Sequence, residues 1–208
     1  MRRTKEESEQ TREAIFDAGL QVFSEKGFTA ATMSDIARKA GVTRGAIYWH
    51  FKNKEAFFEE IVSQSCSYYD ELQEEAVKSD LPMLESLHRA ITTMLSRFFS
   101  DRRWRMMQEF ILRESLTTQA SSEELNDLAS GRGITLLQEA IEKGQIFSRW
   151  SASTAQLSLH ALIVGVFLES SYQGTTLSRE EIGHIADFIV RGFAPSPNHS
   201  TRSIHEKA

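Results

Sequence analysis

Cysteine is nearly missing from this 208-residue chain: Cys66 is the only one. That excludes an internal disulfide framework and any multi-thiolate metal site within one chain, and Cys66 reads most simply as a small buried thiol. Proline is almost as scarce, at three residues, and no Asn-Gly or Asp-Gly turn occurs, so hairpins and strands have little support. The longest apolar stretch, within residues 157–168, falls short of the roughly 20 residues that a membrane span needs. The opening MRRTKEESEQ is basic but leads into charged residues rather than an apolar run, unlike a secretory signal. A cytoplasmic protein with no membrane partner is expected. Catalytic signatures are lacking too: no Gly-rich phosphate loop, no GxSxG elbow and no HExxH. His50, His88, His160, His184, His199 and His205 show no tight metal-ligand spacing. Neither an enzyme nor a metal or other cofactor is expected.

Positive charge is in short supply overall, with a net −5, which at first argues against a polyanionic partner. The charge is unevenly spread. Residues 1–54 hold ten basic and seven acidic residues, a net +3, while the remainder holds fourteen against twenty-two, a net −8. Such asymmetry suggests an interaction module joined to a body with a different task.

What is abundant is helical spacing. Ile15, Ala18, Val22 and Phe23 share one face, and Gly27 is placed to end that helix. Thr32 with Asp35 resembles an acidic capping box opening a second helix that stops at Gly41. Thr43 can cap a third helix to about Phe51, and Asn53 a fourth bearing Phe57, Phe58, Ile61, Val62, Tyr69, Leu72 and Ala76. Pro82 suits the first position of the next helix, which carries Leu84, Leu87, Ile91, Leu95, Phe98 and Phe99. Helical spacing continues from Arg102 to about Leu116, with an unusually basic start. A Ser121/Glu124 pair can open a helix ending at Gly144. Ser153 begins an almost wholly apolar helix closed by Gly174, and Ser178 with Glu181 caps a last one. The expectation is an all-α chain of about nine helices: residues 1–54 a helix-turn-helix module, 55–194 a ligand-binding and dimerisation body, and 195–208 a flexible tail.

The stretch from Thr32 to Lys54 has the composition of a helix-turn-helix. Gly41 supplies the corner, Ala37 the close approach, and Ile36, Val42, Ile47 and Phe51 the inward face. Arg44, Gly45, Ala46, Tyr48, Trp49 and His50 are left facing outward. In a recognition helix the first residues reach base edges in the major groove. Arg44 suits guanine, and the small Gly45 and Ala46 let the helix sit deep. Tyr48, His50, Lys52 and Lys54 can donate to phosphates. Thr32 and Ser34 can add contacts at a positive helix end. A Gly turn between two amphipathic helices is also common in proteins that never touch DNA.

At this point the residues resemble a known family. Ile-Ala-Arg-Lys-Ala-Gly-Val followed by Thr-Arg-Gly-Ala-Ile-Tyr-Trp-His-Phe-Lys-Asn-Lys-Glu is similar to the helix-turn-helix of TetR/AcrR-type repressors, with AcrR-type multidrug-efflux repressors nearest. The match runs through roughly residues 10–62, and beyond it only helical layout and length agree. The resemblance implies an N-terminal reader of double-stranded DNA, a fourth helix as connector, and a body that senses ligand and dimerises through its last two helices. It also implies that Thr43, Arg44, Gly45, Ala46, Tyr48, Trp49, His50 and Lys54 face DNA. The expected function is repression from a palindromic operator, relieved by a small lipophilic inducer. The alternative within the family is control of unrelated metabolic genes; outside it stand a helical enzyme or a non-specific DNA-coating protein.

In the body, the helix through residues 157–168 is apolar nearly all round and needs cover on every side. An intermolecular four-helix bundle would supply it, with Leu162, Gly165, Phe167, Ile185 and Ile189 at the seam. The same pattern also fits a helix central to one subunit. For a pocket, Phe98, Trp104, Met107, Phe110 and Phe147 are large and adaptable, and Glu109 or Glu114 could balance a cationic ligand. Aromatic and Met residues at helical spacing fit an ordinary core equally well.

Overall fold

A computed structural model describes residues 4–117, 133–147 and 151–195. Among these residues the chain has nine helices and no strand: α1 (Lys5–Ala30), α2 (Met33–Lys39), α3 (Arg44–His50), α4 (Lys54–Lys78), α5 (Met83–Ser100), α6 (Arg102–Thr117), α7 (residues 133–142), α8 (Ala152–Gln173) and α9 (Arg179–Phe193). The all-α expectation holds. The expected helix start at Ser121/Glu124 and the tail after residue 195 lie outside the described residues.

Side-chain caps set most boundaries. Thr32 Oγ1 accepts from Asp35 N at 3.1 Å, and Asp35 Oδ2 takes the Thr32 N–H at 3.2 Å; Ser178 and Glu181 repeat this reciprocal pair on α9. Thr43 and Asn53 cap α3 and α4 through the N–H groups of Ala46 and Ala56. Each such cap satisfies an orphan donor of the first turn. Two boundaries differ from expectation. The cap of α8 is Ser151, not Ser153, which brings Ala152 and Ala155 into the core. Gly27, at φ 76°, breaks α1 without ending it. One further turn follows and closes where Ala31 N donates to Gly27 O at 3.2 Å.

Two buried cores result. The first joins Ile15, Phe16 and Phe23 of α1 with Ile36 and Ile47, and takes Phe57 and Ile61 from α4 and Phe110 from α6. The second joins Leu95 and Phe98 of α5, Trp104, Phe167 of α8, and Ala186 and Ile189 of α9. The expected division after residue 54 therefore cuts through the first core, because α4 and α6 both enter it. At 22 residues, α8 is by length and composition alone fit to span a bilayer, although the apolar run read from the sequence fell short. Here it packs on α5, α6 and α9, and its Ser170 is buried.

Gly19 marks the closest approach in the first core. A Cβ there would overlap the ring of Phe57, itself fully buried and unable to swing aside. Gly19→Ala should therefore destabilise the fold by about 1–3 kcal/mol through overpacking, read as a lower urea midpoint at unchanged slope.

Candidate nucleic-acid interface

The turn between α2 and α3 rests on Gly41 at φ 67°, a left-handed conformation that favours glycine. Val42 N closes it on Ala37 O at 3.0 Å. Ile47 is the one buried residue of α3, with Phe51 buried just beyond it. Everything else on this short helix turns outward or lies at its rim. Trp49 is 82% exposed and Tyr48 44%, and Arg44 Cζ lies 5.9 Å from the Tyr48 ring centroid. Arg44, Gly45 and Lys52 are exposed, while Ala46 and His50 are half-buried. A Cβ on Gly45 would meet only Thr43 Oγ1, at 4.0 Å, so nothing inside the chain requires glycine there.

The structure revises two of the expected contacts, Lys54 and Thr32. Lys54 is not an outward anchor. Its ammonium donates to the carbonyls of Phe28, Thr29 and Ala31 at 2.7, 3.3 and 3.2 Å and sits 4.5 Å from the Phe28 ring centroid. It holds the end of α1, since three donors fully employed on backbone leave none for phosphate. Thr32 gives its hydroxyl proton to Asp35 Oδ2 at 2.8 Å and accepts from Asp35 N, so its side chain serves the cap. Thr43 Oγ1 likewise accepts from Ala46 N at 3.2 Å. Ser34 is exposed.

Asp35 ties this module together. Its carboxylate receives Lys26 Nζ at 2.9 Å, Arg38 and both Thr32 donors. The Lys26 ammonium, and then the Thr32 hydroxyl, hold its pKa well below the ordinary 3.8, at about 2.

The expected pocket residues are scattered and packed. Met107 and Phe110 belong to the first core, Phe110 stacking on Phe23 at 5.0 Å and 13°. Phe98 and Trp104 belong to the second, Phe98 stacking on Phe167 at 4.1 Å. Phe147 N donates to Phe193 O at 2.9 Å, tying the segment after α7 to the end of α9. Neither candidate carboxylate waits for a cation. Glu109 accepts from the Ser171 hydroxyl at 2.7 Å, and the buried Glu114 takes the Phe28 N–H at 3.4 Å beside Arg113. At the expected seam, Phe167 and Ile189 are each only 2% exposed and face their own subunit's core. Leu162 is exposed, Gly165 has open space beside it and Ile185 is half-buried. The outward face instead carries Leu157, Leu162, Leu168 and Tyr172 of α8 and Phe188 of α9.

Sequence reasoning missed the groups that fasten α6 to α1. Arg103 reaches Glu13 Oε2 at 2.6 Å and Asp17 Oδ1 at 3.1 Å. Arg113 donates to Phe23 O at 2.6 Å and Ser24 O at 3.3 Å. The basic start of α6 was the visible signal, though the partners lie some ninety residues away.

With this geometry in place, comparisons with known proteins agree on one family. A family model described as bacterial regulatory proteins, tetR family, matches residues 15–61. The HTH-type transcriptional repressor BepR of Brucella suis biovar 1 (strain 1330) is 36% identical over 176 residues, covering 81% of this chain and 84% of BepR. Among solved structures, NalD, the secondary repressor of the MexAB-OprM multidrug efflux pump in Pseudomonas aeruginosa, is similar with a TM-score of 0.75. It is 27% identical and covers 90% of this chain and 98% of its own. A complex of SmeT with triclosan gives a TM-score of 0.76 at 25% identity, covering 96% and 98%. SmeT is described as the repressor of the Stenotrophomonas maltophilia multidrug efflux pump SmeDEF.

The Asp35 cluster makes the reader acid-sensitive. A carboxyl held below its unfolded value stabilises the fold fully above about pH 4 and loses that contribution as pH falls toward about 2. The gap in urea midpoint between the wild-type chain and Asp35→Asn should therefore hold from neutrality down to about pH 4 and shrink below it.

Proposed function

The chain belongs to the tetR family of bacterial regulatory proteins, a family of DNA-binding transcriptional regulators and not of enzymes, and from that premise we propose that it is a dimeric repressor of a multidrug-efflux system, released from its operator by a small lipophilic inducer. It acts in the cytoplasm. The observation that carries DNA reading is the outer face of α3, where a Trp 82% exposed stands beside Arg44, Gly45 and Tyr48 on a helix with one buried residue. Trp49 and Tyr48, side by side and exposed, form an aromatic patch of the kind that marks an interaction surface. In a major groove Arg44 can pair with a guanine edge, while Tyr48, Trp49, His50 and Lys52 meet the backbone around it. Ser34 and the N–H groups at the start of α2 approach a neighbouring phosphate. Repression is supported by the kinship with the repressor BepR, and efflux control by the likeness to NalD and SmeT, each described as a repressor of a multidrug efflux pump.

Dimerisation is supported by the apolar stripe on α8 and α9. Tyr172 is 90% exposed and Phe188 73%, and a hollow lined by Leu162, Val166, His184, Ile185, Phe188 and Ile189 lies between the two helices. A two-fold axis along this stripe sets each Phe188 toward the partner's hollow and covers both copies at once. Two readers on one dimer then address half-sites roughly 34–36 Å apart, or a multiple of that, in a palindromic operator. In this reading the inducer parts the rings of α4, α5, α6 and α8 around Trp104, which pack on one another in its absence. Phe98 belongs to that wall; Met107 and Phe110 connect it to the reader.

Gly45→Ala separates folding from reading. Relieving a helical glycine with open space beside it should leave stability unchanged or raise it by up to about 1 kcal/mol, while operator affinity in a fluorescence-anisotropy titration falls several-fold. Operator binding at wild-type strength would remove α3 from the groove. For assembly, Leu162→Glu with Phe188→Glu alters only exposed positions, so the fold should persist. Light scattering should give a monomer, and operator affinity should drop by roughly a hundredfold once the half-sites are no longer linked.

A further inference from the structure

Most cations of the reader are engaged by the chain itself. Arg12 pairs with Glu60 at 3.0 Å, Lys26 and Arg38 with Asp35, and Lys39 with Glu25 at 2.6 Å. Lys54 is taken up by three carbonyls. In each case an N–H group is turned to an oxygen of the same molecule. Arg44 is held differently. No acidic residue stands between Asp35 and Glu55, so neither the turn nor α3 offers it a carboxylate. What it meets instead is a ring, with Cζ 5.9 Å from the centroid of Tyr48.

Helical spacing explains the contact. Tyr48 follows Arg44 by four residues on α3, and helical side chains lean toward the N-terminus, which brings such pairs together. The manner of holding matters for a DNA reader. A carboxylate engages the edge of a guanidinium, where its five N–H donors lie, whereas a ring can hold the group and leave that edge open. Guanine presents O6 and N7 to such an edge in the major groove. A long side chain restrained beforehand also loses less freedom on binding. Gly45, next to Arg44, adds no side chain that would stand in the way.

We propose that Tyr48 is a positioning residue whose ring holds the Arg44 guanidinium ready for a guanine edge, so that discrimination at one G·C pair of each half-site depends on Tyr48 although Arg44 makes the contact. The assignment rests on the reading of α3 as the helix that enters the major groove and adds how its arginine is set. Tyr48 then has two separable parts. Its hydroxyl meets a phosphate, which carries no sequence information. Its ring acts through Arg44 and bears on sequence alone.

The test uses the full-length chain, a duplex that it selects from a randomised pool, and the set of duplexes in which each base pair of that duplex is replaced in turn. Fluorescence anisotropy gives the penalty at each position. Arg44→Ala should lower the penalty at one G·C pair per half-site from about tenfold or more to below about threefold. Tyr48→Leu should lower it at that same pair and leave the other positions unchanged. Tyr48 is exposed and leucine favours helices, so the fold should persist, as thermal melting would verify. Tyr48→Phe should keep the penalty, while its lost hydroxyl weakens all the duplexes alike. In an Arg44→Ala background, Tyr48→Leu should cause no further loss of discrimination at that pair. A penalty that survives Tyr48→Leu, or that falls as far in Tyr48→Phe, overturns the proposal, and the Arg44→Ala effect then leaves the reading of α3 standing. If Arg44→Ala changes the penalty at no position, or no duplex is enriched from the pool, both fall together.

Discussion

The stacking of Phe23 on Phe110 joins the two halves of the molecule. Phe23 ends the buried face of α1 and Phe110 comes from the middle of α6, and their rings lie nearly parallel at 5.0 Å. Phe57 meets Phe23 edge-on at 5.5 Å and stacks on Phe51 at 4.2 Å, so α1, α4, α6 and the end of α3 share one aromatic block. Cations close it from outside: Arg12 over Phe51, Arg103 over Phe16 and Lys54 over Phe28, at 4.9, 4.6 and 4.5 Å. Such rings bury large apolar areas and also lock one another's geometry. The reader is thus not a bead on a flexible string but one end of a continuous core.

This continuity gives the helical body a direct hold on the reader. Arg113 grips the carbonyls before Gly27 and Glu114 the N–H after it, both from α6. Lys54, at the start of α4, takes the carbonyls beyond. The break in α1 is therefore held from two sides, by α6 and by the start of α4. A packed core has few intermediate arrangements, so a change between α4 and α6 would be passed on as a shift of whole helices.

Much of the molecule was legible in its order of residues. The caps at Thr32, Thr43, Asn53 and Ser178, the corner at Gly41, and the inward faces of Ile47 and Phe51 all act within one or two helical turns, so local spacing reveals them. Where two local solutions compete, the reading slipped. Ser151 and Ser153 are both fit to cap α8, and the choice falls to whichever buries Ala152 and Ala155. Lys54 looked like a surface cation because its partners, the carbonyls at residues 28–31, come close only after α1 breaks at Gly27. Phe167 and Ile189 looked like seam residues for a similar reason: a helix apolar all round does not disclose which side meets its own subunit.

The sequence by itself determined the helices, the reader's corner and the outward residues of α3, because capping and periodicity are properties of neighbouring residues. Tertiary structure alone decided which apolar face is inner and which is outer on α8 and α9. It also decided that Met107 and Phe110 serve the reader's core. Those outcomes depend on contacts across tens of residues, whose energies belong to the packed arrangement and leave no mark in local spacing.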